Sequence, residues 1–217
     1  MTLNPVQLVM AGAALITAGY VIYLNLWRAA LFVKPSSMKI EADEPPDQMS
    51  VPEELSKLSK WLTDNGFTAL GSHWEKPLFT GFTSSFDYAK PDAHVFATLY
   101  LGRDGAARLY FLTPLRDDGF VVTANYRRPA RELPGRYYSG GLEEYAPDRV
   151  FKAHLRRIDT EKLQPSGAFS QDDRISAAKR WFGTYGQSEI RWQNLHGLLW
   201  TLATIAAVIS AVIELMR

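Results

Sequence analysis

VQLVMAGAALITAGYVIYLNL, residues 6–26, and LHGLLWTLATIAAVISAVIEL, residues 195–215, decide how the rest of the chain is read. Each run is 21 residues long, and the first carries no formal charge. At about 1.5 Å per residue, either run spans a hydrocarbon core of roughly 30 Å. In the second run, His196 and Glu214 stand in the first and last turns, where a polar group reaches the membrane interface. A cleaved signal peptide is the rival for the first run. The start, MTLNP, has no Lys or Arg, and the apolar run exceeds a signal core of about 7–15 residues. Core helices of a soluble domain are the rival for both, but the segment between them is too small to bury two helices that are apolar all round.

The expected organisation is a transmembrane helix at 6–27, a linker at 28–50, an α+β domain at 51–186, a juxtamembrane segment at 187–194 and a second transmembrane helix at 195–215. Trp27, Trp192 and Trp200 mark the domain-side interface, where indole rings favour the headgroup region. Arg28, Lys34 and Lys39 follow the first run, and Arg174, Lys179, Arg180 and Arg191 precede the second. The far side offers the amino terminus and Arg217. Basic residues near a span resist translocation, so the central domain is expected in the cytoplasm and both termini on the opposite side.

Residues 34–50, KPSSMKIEADEPPDQMS, read as an acidic, proline-containing linker. Ser50 is the expected cap of a helix over about 52–64, with Leu55, Leu58, Trp61 and Leu62 at helical spacing and Asn65-Gly66 as the stop. From Gly66 the period changes to two, which predicts strands at about 67–75, 78–88, 94–102, 107–114 and 120–126. Short glycine-containing turns join them, so the expectation is a five-stranded antiparallel meander. One face is expected to carry Phe82, Phe86, Tyr88, Phe96, Tyr100, Tyr110, Leu112, Phe120 and Val122. Residues 127–145 read as a loop or broken ribbon, followed by helices after Pro147 and after a Ser170 cap, giving about three helices in the domain.

The net charge is +1, with 24 basic and 23 acidic side chains, so no nucleic-acid partner is expected from charge. There is no cysteine, which excludes thiol catalysis, disulfides and Cys-ligated metals. The four histidines, at 73, 94, 154 and 196, show none of the spacings of a metal or zincin site. His154 reads as part of a solvated basic helix face. No glycine pattern matches a nucleotide loop, and no GxSxG elbow supports a hydrolase. Catalytic, cofactor-binding and metal-ligating residues are therefore expected to be absent, with enzymatic activity the less favoured reading.

The distinctive surface feature is Arg127, Arg128, Arg131 and Arg136 in one loop, either a solvated set of ion pairs or a surface for anionic headgroups or an acidic partner; RNA, with Tyr137 and Tyr138 stacking bases, is a third reading that no RNP or KH pattern supports. Inside the spans, Ala203, Ala207 and Ala211 recur every four residues, and Gly12 and Gly19 mark the first helix. Such small residues permit close helix approach. The expected function is an accessory or scaffold subunit of a membrane complex, with membrane lipids and other membrane subunits as partners. A membrane-anchored sensor of a lipid or apolar molecule is the alternative, and a membrane-bound hydrolase the third reading.

Overall fold

A computed structural model describes residues 5–216, with side chains described to residue 214. Arg217, counted above on the far side, lies outside the described residues. The chain divides into two compact units. One comprises the terminal segments up to Met38 and from Gly186, together with Pro77–Thr80, and the other comprises Lys39–Lys76 and Gly81–Tyr185.

In the first unit α1 (Pro5–Val33) and α5 (Gly186–Met216) are continuous helices of 29 and 31 residues. Both are long and apolar enough to cross a membrane. Residues 28–33 and 187–194, expected as linker and juxtamembrane segment, are helical and extend these two elements toward the domain. The helices pack antiparallel, with Arg28 beside Gly197 and the Arg191 Nε donating to the Phe32 carbonyl at 3.2 Å. On α5 the buried and half-buried positions Ile190, Asn194, Gly197, Thr201, Thr204 and Val208 alternate in steps of four and three. On α1 the matching positions are Ala18, Ile22, Asn25, Ala29 and Phe32. This is the spacing at which two helices keep one seam in contact. A Cβ on Gly197 would overlap the Cβ and stem of Arg28, so glycine sets the approach of the two backbones.

Several Thr and Asn side chains in this unit bond to their own helix. Thr17 and Asn25 donate to the carbonyls of Ala13 and Val21, and Asn194, Thr201 and Thr204 donate to those of Ile190, Gly197 and Trp200. No separate partner is needed to satisfy these groups.

The second unit is a mixed α/β domain around one eight-stranded sheet, not the five-stranded sheet expected. The strands are β1 (Lys39–Ala42), β2 (Thr68–Lys76), β3 (Thr83–Lys90), β4 (Val95–Leu101), β5 (Ala107–Pro114), β6 (Phe120–Ala124), β7 (Arg131–Leu133) and β8 (Tyr137–Gly141), ordered β1-β2-β3-β4-β5-β6-β8-β7. Strands β2–β6 form the expected meander. The extra strands come from segments read as linker and loop. β1 has one buried residue, Ile40, so it shows no alternation, β7 is only three residues long, and β8 ends in two glycines. What makes them strands is the vacant sheet edge beside them. The β7–β8 ribbon doubles back so that β8 lies parallel to β6, the one parallel pair among the described residues.

Helices α2 (Glu53–Asp64), α3 (Pro147–Thr160) and α4 (Gln171–Gly183) fall where the periodicity places them. Ser170 caps α4 in a full capping box with Asp173, whereas Ser50 does not cap α2, which begins after Pro52. The single aromatic face expected for the sheet is in fact two faces. Phe86 and Tyr88 join Leu99, Leu109 and Phe111 beneath α2 and α3, while Phe96, Leu112, Phe120 and Val122 join Tyr137 and Ala177 of α4 on the other side. Phe82 is exposed. Both faces are buried because helices cover both, which lengthens apolar runs and blurs the two-residue alternation.

The seam predicts the effect of one substitution. Gly197→Leu should lower the stability of the full chain in mild detergent by about 1–3 kcal/mol through overpacking against Arg28. Gly19→Leu should change it little, since a Cβ there meets nothing within 4 Å. Equal thermal midpoints for the two variants would contradict the seam.

Candidate functional site

The strongest concentration of perturbed titratable groups lies on the sheet face beneath α4. Register places Asp87 of β3 beside Thr98 of β4, and Thr98 beside Tyr110 of β5, so the three side chains form a lateral row. His73 of β2 completes the row through a 2.5 Å contact from its Nδ1 to the Asp87 carboxylate. α4 drops Arg174 into it. The Arg174 Nε lies 3.1 Å from Asp87 Oδ1 and 3.0 Å from the Thr98 hydroxyl, and Nη2 donates to the Tyr110 hydroxyl. The Thr98 hydroxyl donates to Asp87 at 2.7 Å. Nη1 of Arg174 is buried without a hydrogen-bond partner.

His73 and Asp87 are 0% exposed and Arg174 is 1% exposed, which decides what the cluster can do. Burial alone favours the neutral imidazole. The charge of Asp87, its hydrogen bond and that of Glu75 outweigh burial and the repulsion of Arg174, raising His73 from 6.5 to about 9. Burial likewise opposes ionisation of Asp87, but Arg174 and His73 hold its pKa below the ordinary carboxylate value. The four groups His73, Arg174, Asp87 and Glu75 thus compensate one another. Only Glu75, at 23% side-chain exposure, opens toward solvent. With the imidazole, the Asp87 carboxylate and the guanidinium buried and bonded to one another, the arrangement is a clamp fixing α4 to four strands.

Sequence reasoning missed this cluster because Asp87, Thr98 and Arg174 are far apart in the chain. The available signal was a charge, Arg174, sharing a helix with Ile175 and Ala178, yet it was assigned to the membrane-flanking basic residues. His154 also requires correction. It is buried, with its ring nitrogens 3.0 Å from the hydroxyls of Thr113 and Thr123. Burial, then the charge of Arg157, lowers its pKa from 6.5 to about 3.

The four arginines of the surface segment are separated. Arg127 is exposed and lines an open groove of about 590 Å³ with Lys57 and Arg108, facing Glu54, Asp104, Glu143 and Glu144. Arg128 is half-buried, its guanidinium 5.0 Å from the Trp181 ring centroid. Arg131 starts β7, and Arg136 is exposed in the turn before β8, where its carbonyl accepts from the Phe120 N–H at 2.8 Å. The groove balances its charges, so it offers no simple anion surface.

In the helical unit Ala203, Ala207 and Ala211 are exposed and lie off the seam, and Gly12 and Gly19 have no neighbour within 4 Å of a built Cβ. Gly197, which the sequence reading passed over, makes the close approach instead. Trp192 and Trp200 are exposed, and Trp27 is half-buried with Arg28 5.1 Å from its ring. Among the described residues no group of His, Asp and Glu side chains could hold a metal ion.

The network predicts opposed pH limbs. His73 has a raised pKa, so its stabilisation is complete below 6.5 and is lost as pH rises through about 9. His154 is held neutral, so its contribution is present above 6.5 and is lost as pH falls toward about 3. Stability should peak near pH 6.5, with His73→Gln flattening the alkaline limb and His154→Asn the acid limb in urea titrations. Asp87→Asn, which strands Arg174 and His73, should cost about 3–5 kcal/mol, and Glu75→Gln, at the half-buried edge of the cluster, less.

No protein-family model, no curated protein and no solved structure matches this chain.

Proposed function

We propose that the chain is a two-pass membrane protein whose inserted domain is cytoplasmic and which serves as an accessory or scaffold subunit of a membrane complex. The observation that carries this reading is the outer surface of the α1/α5 pair. Leu8, Ile16 and Tyr23 on α1 and Leu202, Ile209 and Ile213 on α5 are all exposed. So much contiguous apolar surface is costly in water and suited to lipid. The inward-bonded Thr and Asn side chains support the same reading, since an apolar solvent offers them no partner. Basic residues near the domain-side helix ends, Arg28, Lys34, Lys179, Arg180 and Arg191, favour a cytoplasmic domain, and the buried Arg174 leaves that count.

A scaffold role accords with a domain whose most perturbed groups are sealed in its core and with an exposed stripe of small residues, Ala203, Ala207 and Ala211, turned away from α1. Another helix can approach that stripe closely. The groove beside Arg127 is open and charged, unlike the enclosed apolar cavity a lipid sensor needs.

Affinity purification of the full chain in mild detergent is the test, with co-purifying membrane subunits the expected result and recovery of the chain alone the contrary one. Ala207→Leu should reduce recovery of such subunits while leaving the chain folded, and Leu199→Ala should do less. Ser36→Cys, at an exposed position in a cysteine-free chain, should resist an impermeant thiol reagent in intact cells. Ready labelling would reverse the orientation. Arg127→Gln with Arg136→Gln should weaken docking if these exposed charges meet an acidic partner, whereas Arg128→Gln should act on stability by losing its contact with Trp181.

A further inference from the structure

The connection between β2 and β3 reads Pro77-Leu78-Phe79-Thr80-Gly81-Phe82, without a formal charge. It is unlike the β4–β5 and β5–β6 turns, which carry Arg, Asp and Gly. Leu78 is 39% exposed, Phe79 65% and Phe82 64%, so three large apolar side chains project from one short loop. Phe79 also holds a left-handed backbone with φ 65°, which a bulky side chain resists. Water gives these groups nothing in return for that conformation.

Two further observations identify what does. The tip, Pro77–Thr80, belongs to the compact unit of α1 and α5, not to the unit that contains its own strands. Chain continuity explains why. β1 starts at Lys39, only a few residues beyond the end of α1 at Val33, and Lys39 pairs directly with Lys76, the residue before the loop. The loop is therefore separated from the end of α1 by only a few residues of chain and one strand pair. The second observation is that Lys39–Lys76 pair itself. Directly opposed residues of an antiparallel pair project to the same face, where like charges repel. Both lysines are exposed and neither makes an ion pair among the described residues. An external anion would relieve the repulsion.

We infer that the β2–β3 loop is a third membrane contact, with Leu78, Phe79 and Phe82 seated at the boundary between headgroups and acyl chains and Lys39 and Lys76 meeting anionic phospholipid headgroups. Aromatic and aliphatic side chains flanked by lysines are the composition of an interfacial anchor. The inference rests on the reading of α1 and α5 as spans and goes beyond it.

The full chain, with Phe79→Cys carrying an environment-sensitive dye, is reconstituted in nanodiscs of phosphatidylcholine and phosphatidylglycerol. Nitroxide-labelled lipid, spin-labelled near the headgroup, is then added. Leu202→Cys in α5 reports on the span, and Asp117→Cys in the β5–β6 turn is the remote control. The label at position 79 is expected to shift to the blue and lose roughly half its emission, as for a group a few ångströms into the interface. The Asp117→Cys label should be unaffected. Phe82→Cys repeats the measurement at a second exposed site. Quenching of the Leu202→Cys label without quenching at positions 79 and 82 would overturn the loop anchor and leave the spans standing. Loss of quenching at all three would instead overturn the spans. A blue shift at position 79 without lipid quenching would mean that protein covers the loop, and would also overturn the inference. Lys39→Gln with Lys76→Gln, or nanodiscs of phosphatidylcholine alone, should reduce quenching at position 79, and unchanged quenching would remove the anionic headgroup from the assignment.

Discussion

An ionised carboxylate with no exposure, Asp87, organises the domain. A buried carboxylate is tolerable only with positive charge and hydrogen-bond donors around it, and Asp87 collects both from separate parts of the chain. His73 comes from β2, Thr98 from β4 and Arg174 from α4. Satisfying that one group fixes the position of α4 over the sheet, and α4 in turn brings Ala177 and Trp181 over Phe96, Phe120 and Tyr137. The other face needs no such device. There Leu55, Leu62, Phe111 and Val150 pack as an apolar layer, and His154 is accommodated as a neutral ring between two threonines.

Single close contacts also register the helices on both faces of the sheet. The Gly71 bulge in β2 illustrates this at α4. Its φ is +117°, and a Cβ there would overlap the Glu44 carbonyl and the Gln171 side chain, which donates to the Ser72 carbonyl at 3.0 Å. Strand β2, the approach to β1 and the first turn of α4 therefore meet at a point only glycine can occupy. On the opposite face, the Ser59 and Tyr88 hydroxyls meet at 2.8 Å to register α2 on β3.

The helical pair follows a different physical rule. Its seam combines small and polar residues, with Gly197 against the Arg28 stem, with Ile22, Phe32, Ile190 and Val208, while many large aliphatic side chains also lie exposed on its outer surface. Lipid is the surroundings in which such an outer surface costs least. Exposed outside these packed regions are the alanine stripe of α5, the charged groove near Arg127 and the apolar β2–β3 loop.

The sequence by itself determined the elements whose signal is local. Two long apolar runs define α1 and α5, helical spacing and caps define α2, α3 and α4, and alternation with glycine turns defines β2–β6. Tertiary structure alone decided the rest. β1, β7 and β8 are strands because a neighbouring edge offers hydrogen bonds, a cause that leaves almost no trace in a segment of three to five residues. Which face each aromatic residue takes depended on helices covering both sides of the sheet. Gly197, not the alanine stripe, makes the close helix approach, because the seam is set by the partner helix and not by composition. Arg174 and His154 looked like surface charges in the chain and are core residues in the fold. Burying a charge requires compensating groups from distant strands, and those become neighbours only when the sheet has formed.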